Sequence, residues 1–209
     1  MAETTVTLFP IQAVSHYSEE YFQTHFPARY GRSLRFRQEA DRLRCLAAGI
    51  LLREVLGAEE AEFSLSPGGK LFLPGSSAEF NLSHSGDYAA LAVSSLPVGV
   101  DMEPIGRDHT DAARKVFTDG ERRWMEESPV SRFASLWTMK EALAKALGIG
   151  LSLPFREIEV LGLINGESLA YEGRTFFGQT GQMRGYVLSV CTEKEKTPVT
   201  IRLFREVTP

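Results

Sequence analysis

The chain has 209 residues, 43% apolar and 24% charged, enough for one large domain or two small ones, with no apolar run near the roughly 20 residues that span a bilayer. The opening Met1-Ala2-Glu3-Thr4-Thr5 lacks the basic start and apolar block of a signal peptide, and Cys45 and Cys191 stand far apart outside any Cys-x-x-Cys pair, which argues against a zinc or disulfide framework and for a cytoplasmic protein. Net charge is −4, yet residues 28–53 hold seven arginines against two acids, so the rest carries −9; this argues against a general nucleic-acid binder and fits a local site for a small polyanion, which arginine's planar fork grips.

In chain order, residues 5–14 read as a strand interrupted by Pro10, and 16–30 as a short polar-aromatic helix or turn closing near Pro27. From 39 to 56 the apolar residues at 43, 46, 47, 50 and 55 recur at helical spacing, and Gly57 caps the helix. Arg42, Arg44 and Arg53 lie off the centre of that stripe, where they either solvate a surface helix or meet a phosphate. Short strands are expected at 61–65, 71–73, 79–83 and 88–94, with the turn Ser66-Pro67-Gly68-Gly69 followed at once by Lys70. Ser83, His84 and Ser85 sit where a strand enters a turn; they form a phosphate-binding corner or make local turn bonds. His16, His25 and His109 lack such neighbours and read as structural or surface residues.

In Val98-Gly99-Val100-Asp101-Met102-Glu103-Pro104, alternation along an extended segment puts Asp101 and Glu103 on one face and Val100 and Met102 on the other. Two oxygen ligands at a strand end suit a hard cation such as Mg²⁺; a solvated pair of charges fits the same pattern. The pattern then turns helical. Thr118-Asp119-Gly120-Glu121 reads as a capping box opening a short helix through Trp124 and Met125. After Ser128-Pro129 a longer helix over 131–147 is stopped by Gly148-Ile149-Gly150, with Phe133, Leu136, Leu143 and Leu147 as its core stripe. Trp137, Glu141 and Lys145 form a second stripe; the Glu–Lys pair fits a surface salt bridge, and the leading tryptophan suggests a groove or partner surface, with buried packing an equal alternative. Strand-like runs return at 155–163, 168–171, 186–191 and 199–204. The order indicates an α+β fold with a seam at 104–107.

Three motifs in fixed order, Phe80-Asn81-Leu82-Ser83-His84-Ser85-Gly86, Val98-Gly99-Val100-Asp101-Met102-Glu103 and Trp137-Thr138-Met139-Lys140-Glu141-Ala142-Leu143-Ala144-Lys145, resemble the 4′-phosphopantetheinyl transferase superfamily of the Sfp type. The likeness extends to Gly69-Lys70, to the arginine segment and to Gly150-Leu151-Ser152-Leu153-Pro154, and so covers most of residues 28–155. It implies two similar α+β halves related by a pseudo-twofold, expected at 1–104 and 105–209, the first with the phosphate-binding residues and Asp101 and Glu103, the second with the Trp137-to-Lys145 helix. It also implies transfer of phosphopantetheine from coenzyme A to a serine of an apo acyl or peptidyl carrier protein, with release of adenosine 3′,5′-bisphosphate. By position, Asp101, Glu103 and Glu141 would surround Mg²⁺, Glu141 would be the general base, and Lys145 would offset pyrophosphate charge. Lys70, Ser83, His84 and Arg44 match nucleotide- and phosphate-binding positions, and Arg29 and Arg32 fall near the 3′-phosphate. Cys45 stands where some relatives carry a ligand-binding threonine. Phe117, Trp124 and Met125 are candidates for a carrier-docking patch or for core. No nucleic acid or membrane partner is expected, and both halves in one chain imply a monomer. A Mg²⁺-dependent nucleotide phosphohydrolase and a non-catalytic binder of coenzyme A or carrier are the competing readings.

Overall fold

In the first strand, β1 (Thr4–Pro10), Val6 and Leu8 enter one core while Phe9 enters another on the opposite face. That split follows from the two-residue period of a strand and makes β1 part of a sheet covered on both sides. A computed structural model of the chain describes residues 2–106 and 115–204, and its architecture is α+β. Two short helices, α1 (Glu19–His25) and α2 (Pro27–Ser33), lead into the long helix α3 (Glu39–Leu56). The hairpin β2 (Ser64–Leu65) and β3 (Leu71–Phe72) follows, then β4 (Glu79–Ser85), β5 (Tyr88–Ser94) and β6 (Val98–Pro104). Helices α4 (Asp119–Met125), α5 (Pro129–Leu147) and α6 (Leu161–Ile164) precede β7 (Ser168–Tyr171), β8 (Arg174–Met183), β9 (Tyr186–Glu193) and β10 (Val199–Leu203). Arg107 and His109 lie outside the described residues.

The strands form two four-stranded sheets, ordered β10-β1-β5-β4 and β6-β9-β8-β7. All laddered neighbours run antiparallel except β10, which lies parallel to β1. Val6, Leu8, Ala90 and Ala92 of the first sheet meet Val98, Val100, Met102, Leu188 and Val190 of the second in a shared core. Helix α3 covers the outer face of the first sheet and α5 that of the second. Burying each large apolar side chain contributes about 1.5–3 kcal/mol, so these interfaces set the position of both helices.

Helix α3 is rich in strong helix formers and ends at Gly57, whose φ of 68° admits the left-handed cap that returns its N–H to the Arg53 carbonyl. Its buried residues run without a break from Cys45 to Leu52, wider than the stripe expected from spacing, because α2 packs on it as well as the sheet. At Gly49 a Cβ would lie 2.8 Å from Arg29 Cδ.

Two elements of the second sheet depart from the sequence reading. Residues 155–157 form a turn and 158–160 are irregular, not the start of a strand, and α6 follows. The Lys140 ammonium takes the Phe155 and Ile158 carbonyls, and the Glu121 carboxylate takes the Val160 N–H, committing the backbone groups a ladder would need. Conversely, β8 was not expected from a run broken by Gly178 and Gly181. Gly178 sits there because Met139 and the Leu163 Cβ fill the space of a side chain.

Candidate active site

The candidate site forms where β6 lies between α5 and β4. At Gly99 a Cβ would stand 1.9 Å from the Ala142 carbonyl oxygen, so only glycine lets strand and helix approach this closely. The approach brings Lys145, near the end of α5, to Asp101: its ammonium donates to Asp101 Oδ1 at 2.7 Å and to the Val100 carbonyl at 3.2 Å. On the other side β4 runs beside β6 without a backbone ladder, and side chains bridge the gap. Asn81 Oδ1 accepts the Val100 N–H at 3.0 Å, Ser83 Oγ donates to Asp101 Oδ1 at 2.7 Å, and Ser85 Oγ donates to Glu103 Oε2 at 2.6 Å. The alternation expected along 98–104 holds: Val98, Val100 and Met102 are in the shared core, while Asp101 and Glu103 take polar partners.

Glu141 enters from α5, one turn before Lys145. Burial raises its pKa above the ordinary carboxylate range, the charges of Asp101 and Glu103 push the same way, and Lys145 pulls it down. The three carboxylates therefore feel one another. As placed, no three His, Cys, Asp or Glu side chains among the described residues are gathered closely enough to ligate one ion. One observation tests the fit of a cation: Asp101 is 5% exposed, and its Oδ2 is buried with no hydrogen-bond partner. A buried carboxylate oxygen without a donor is costly. Three carboxylates against one ammonium leave the site short of positive charge, and a hard divalent ion suits that oxygen set.

The basic residues expected to bind phosphate lie around this centre in three places. Lys70, after the Ser66-to-Gly69 turn, donates to the Val98 carbonyl at 3.0 Å and lies 3.7 Å from Glu79; desolvation lowers its pKa. With Gly69, Asn81, Leu82, Lys145 and Gly148 it lines a cleft of about 270 Å³. Gly68 touches the end of α5 there, since a Cβ would be 1.8 Å from the Gly148 carbonyl oxygen. Arg29 and Arg32 line a separate cavity of about 390 Å³ with Phe26, Leu52, Glu60 and Phe63; Leu71 borders both. Arg29 Nε is buried without a partner, one Nη donates to the Cys45 carbonyl at 3.3 Å, and desolvation followed by the charge of Arg32 lowers its pKa. Cys45 Sγ lies 3.7 Å from the Arg29 carbonyl, a weak contact that stays within the protein. Arg44, on α3, donates to the Gly86 carbonyl at 3.0 Å and to Asp41 at 2.6 Å. His84 keeps an exposed edge, yet desolvation, reinforced by Lys145 and Arg44, lowers its pKa and favours a neutral imidazole at pH 7.

Ser83 and Ser85 thus bond the carboxylates of β6 in this structure. The matched spacing, Ser-x-Ser against Asp-x-Glu eighteen residues on, was the available signal. Asn81, the bridge to Val100, carried no comparable sign. Trp137 packs inward, stacked on Phe133 at 6.3 Å and edge-on to Phe155 at 6.0 Å. Phe117 is fully buried, with Trp124 and Met125 half-buried against the same core. Glu121 keeps its cap on Thr118 and also pairs with Lys140 at 2.8 Å, both side chains wholly buried.

The model of the 4′-phosphopantetheinyl transferase superfamily matches residues 97–191. The chain is 33% identical over 131 residues to the 4′-phosphopantetheinyl transferase gsp of Aneurinibacillus migulanus, covering 58% of this chain and 55% of the relative. It is 29% identical over 154 residues to the 4′-phosphopantetheinyl transferase Sfp of Bacillus subtilis (strain 168), covering 68% and 69%. To the 4′-phosphopantetheinyl transferase psf-1 of Bacillus pumilus it is 36% identical over 131 residues, covering 56% and 55%. The chain therefore spans about half the length of the first and third of these relatives. The matched region contains β6, α5 and most of β9, and with them all three carboxylates and Lys145. Over this region the chain is similar to the 4′-phosphopantetheinyl transferase superfamily, and the similarity to individual transferases extends beyond it.

Proposed function

We propose that the protein transfers 4′-phosphopantetheine from coenzyme A to a serine hydroxyl of an apo acyl or peptidyl carrier protein, releasing adenosine 3′,5′-bisphosphate in a Mg²⁺-dependent reaction. The observation that carries this reading is the pairing of Asp101, buried with one oxygen unpartnered, with Glu141 and Lys145 on the helix pressed against it. Asp101, Glu103 and Glu141 would hold Mg²⁺. When bound, the ion supplies charge neutralisation for the pyrophosphate.

The remaining chemistry is argued from the chain's own residues. The carrier serine Oγ forms a bond to the β-phosphorus of coenzyme A as the bond from that phosphorus to the bridging oxygen breaks, and the electron pair leaves with adenosine 3′,5′-bisphosphate. The serine proton goes to Glu141, directly or through a water; its raised pKa makes it a better proton acceptor than an ordinary surface carboxylate. Lys145, restrained by Asp101 and the Val100 carbonyl, brings positive charge to the leaving phosphate. Lys70 and His84 would meet the nucleotide phosphates, Arg44 would grip them from α3, and Arg29 and Arg32, which line the neighbouring cavity, would provide positive charge there. Ser83 holds Asp101 while it reaches the phosphate corner.

The test is to incubate the protein with coenzyme A, Mg²⁺ and a panel of apo acyl and peptidyl carrier proteins. The expected result is a mass gain of one phosphopantetheine on the carrier serine. Failure to modify any member of the panel, or breakdown of coenzyme A without a carrier, refutes the reading.

A further inference from the structure

Between β4 and β5 the chain reverses through Gly86 and Asp87, since Ser85 pairs with Tyr88. Four elements grip this turn. Ser85 Oγ donates to Glu103 at 2.6 Å, the Gly86 carbonyl accepts from Arg44 Nε at 3.0 Å, and the Asp87 carbonyl accepts from Ile11 N–H at 2.9 Å. The fourth, like Glu103, belongs to the second sheet: the Asp87 N–H donates to Tyr186 Oη at 2.9 Å, and the Tyr186 hydroxyl reaches Asp87 Oδ2 at 3.3 Å. Tyr186 opens β9 opposite Pro104, is 8% exposed and stacks edge-on to Tyr88 at 5.5 Å. Gly86 has φ +54°, and a Cβ there would lie 2.1 Å from Tyr186 Oη. The phenol therefore stands where a side chain at 86 would be.

We propose that Tyr186 is a positioning residue for coenzyme A, fixing the Gly86–Asp87 turn and, through the Gly86 carbonyl, the guanidinium of Arg44. With Asp41 taking a second arm of Arg44, two protein acceptors set the plane of the fork before ligand arrives. A guanidinium held in this way loses less rotamer freedom when a phosphate binds its remaining N–H groups. The inference rests on Arg44 as a coenzyme A ligand, as argued under the proposed function.

Calorimetric titration of coenzyme A, with no carrier present, tests it in the wild type, Tyr186→Phe, Arg44→Ala and the double variant. Phenylalanine keeps the packing on Tyr88 and removes only the hydroxyl. The expected result is affinity about 5- to 10-fold weaker for Tyr186→Phe, the scale of one lost hydrogen bond. Arg44→Ala should be weaker still, and the double variant should match Arg44→Ala alone, because the two residues act in series. Gly86→Ala, which forces the phenol out with Tyr186 intact, should weaken binding comparably. Wild-type affinity in Tyr186→Phe, full additivity in the double variant, or wild-type affinity in Arg44→Ala overturns the inference. The expected coupling in a protein that modifies no carrier supports the inference while refuting the proposed activity.

Discussion

Gly99 sets the distance on which the candidate site depends, so Gly99→Ala is the most direct perturbation of its geometry. The added Cβ would lie 1.9 Å from the Ala142 carbonyl oxygen and 2.5 Å from the Ala146 nitrogen, both backbone atoms of α5 that no rotamer change relieves. A normal carbon–oxygen contact is about 3.3 Å, so α5 has to retreat by roughly 1.4 Å. The Lys145–Asp101 hydrogen bond, now 2.7 Å, would open to about 4 Å. Overpacking of this kind costs about 1–3 kcal/mol, and a misplacement near 1 Å in a catalytic group costs about 100-fold in rate. Denaturant unfolding and a mass-spectrometric transfer assay at saturating substrates measure the two effects. Gly178→Ala is the control: its Cβ meets the flexible end of Met139 and the Leu163 Cβ, and should cost stability with little loss of rate. A Gly99→Ala protein that transfers at near-wild-type rate would refute the argument that this contact sets the Lys145–Asp101 geometry.

Glu141→Gln is expected to abolish transfer and yet stabilise the ligand-free protein at neutral pH. A carboxyl whose folded pKa is raised destabilises the fold as pH rises through that pKa, and this penalty is absent below its unfolded value; the variant's advantage should therefore shrink as pH falls into the ordinary glutamate range. Thermal melts from acid to neutral pH check this, and a variant less stable than wild type at neutral pH would refute it. Lys140→Met should destabilise by about 3–5 kcal/mol, leaving Glu121 charged, buried and without its cation. Adding Glu121→Gln should cost less than the sum of the single changes, which urea unfolding of the three variants measures.

Much of the candidate site was legible because its residues obey local rules. Two-residue alternation oriented Asp101 and Glu103, and the helical period aligned Glu141 with Lys145. The same period left Trp137 open between a groove or partner surface and buried packing, and Phe133 and Phe155 close over it. No local rule could have revealed that a lysine fully buried in α5 would bind the backbone of residues 155–158, or that β10 would join β1 from the far end of the chain. Those features depend on partners distant in sequence, where hydrophobic pattern carries no pairing information.

The parallel pairing of β10 with β1 makes the chain a loop within a loop. Every strand of the second sheet, with α5, lies between residues 98 and 193, while the first sheet is built from what precedes and follows. The ends of the inner stretch already touch, since the Glu193 N–H donates to the Pro97 carbonyl at 3.0 Å. During synthesis this stretch can close, with Val98 paired to Thr192, while the outer sheet still lacks its last strand. A stretch with adjoining ends can also be exchanged as a unit with little disturbance to its host. The family model begins at 97 and ends at 191, tracing almost the same unit. The proposed acid–base residues lie inside it; Arg29, Arg32, Arg44, Lys70 and His84 belong to the surround.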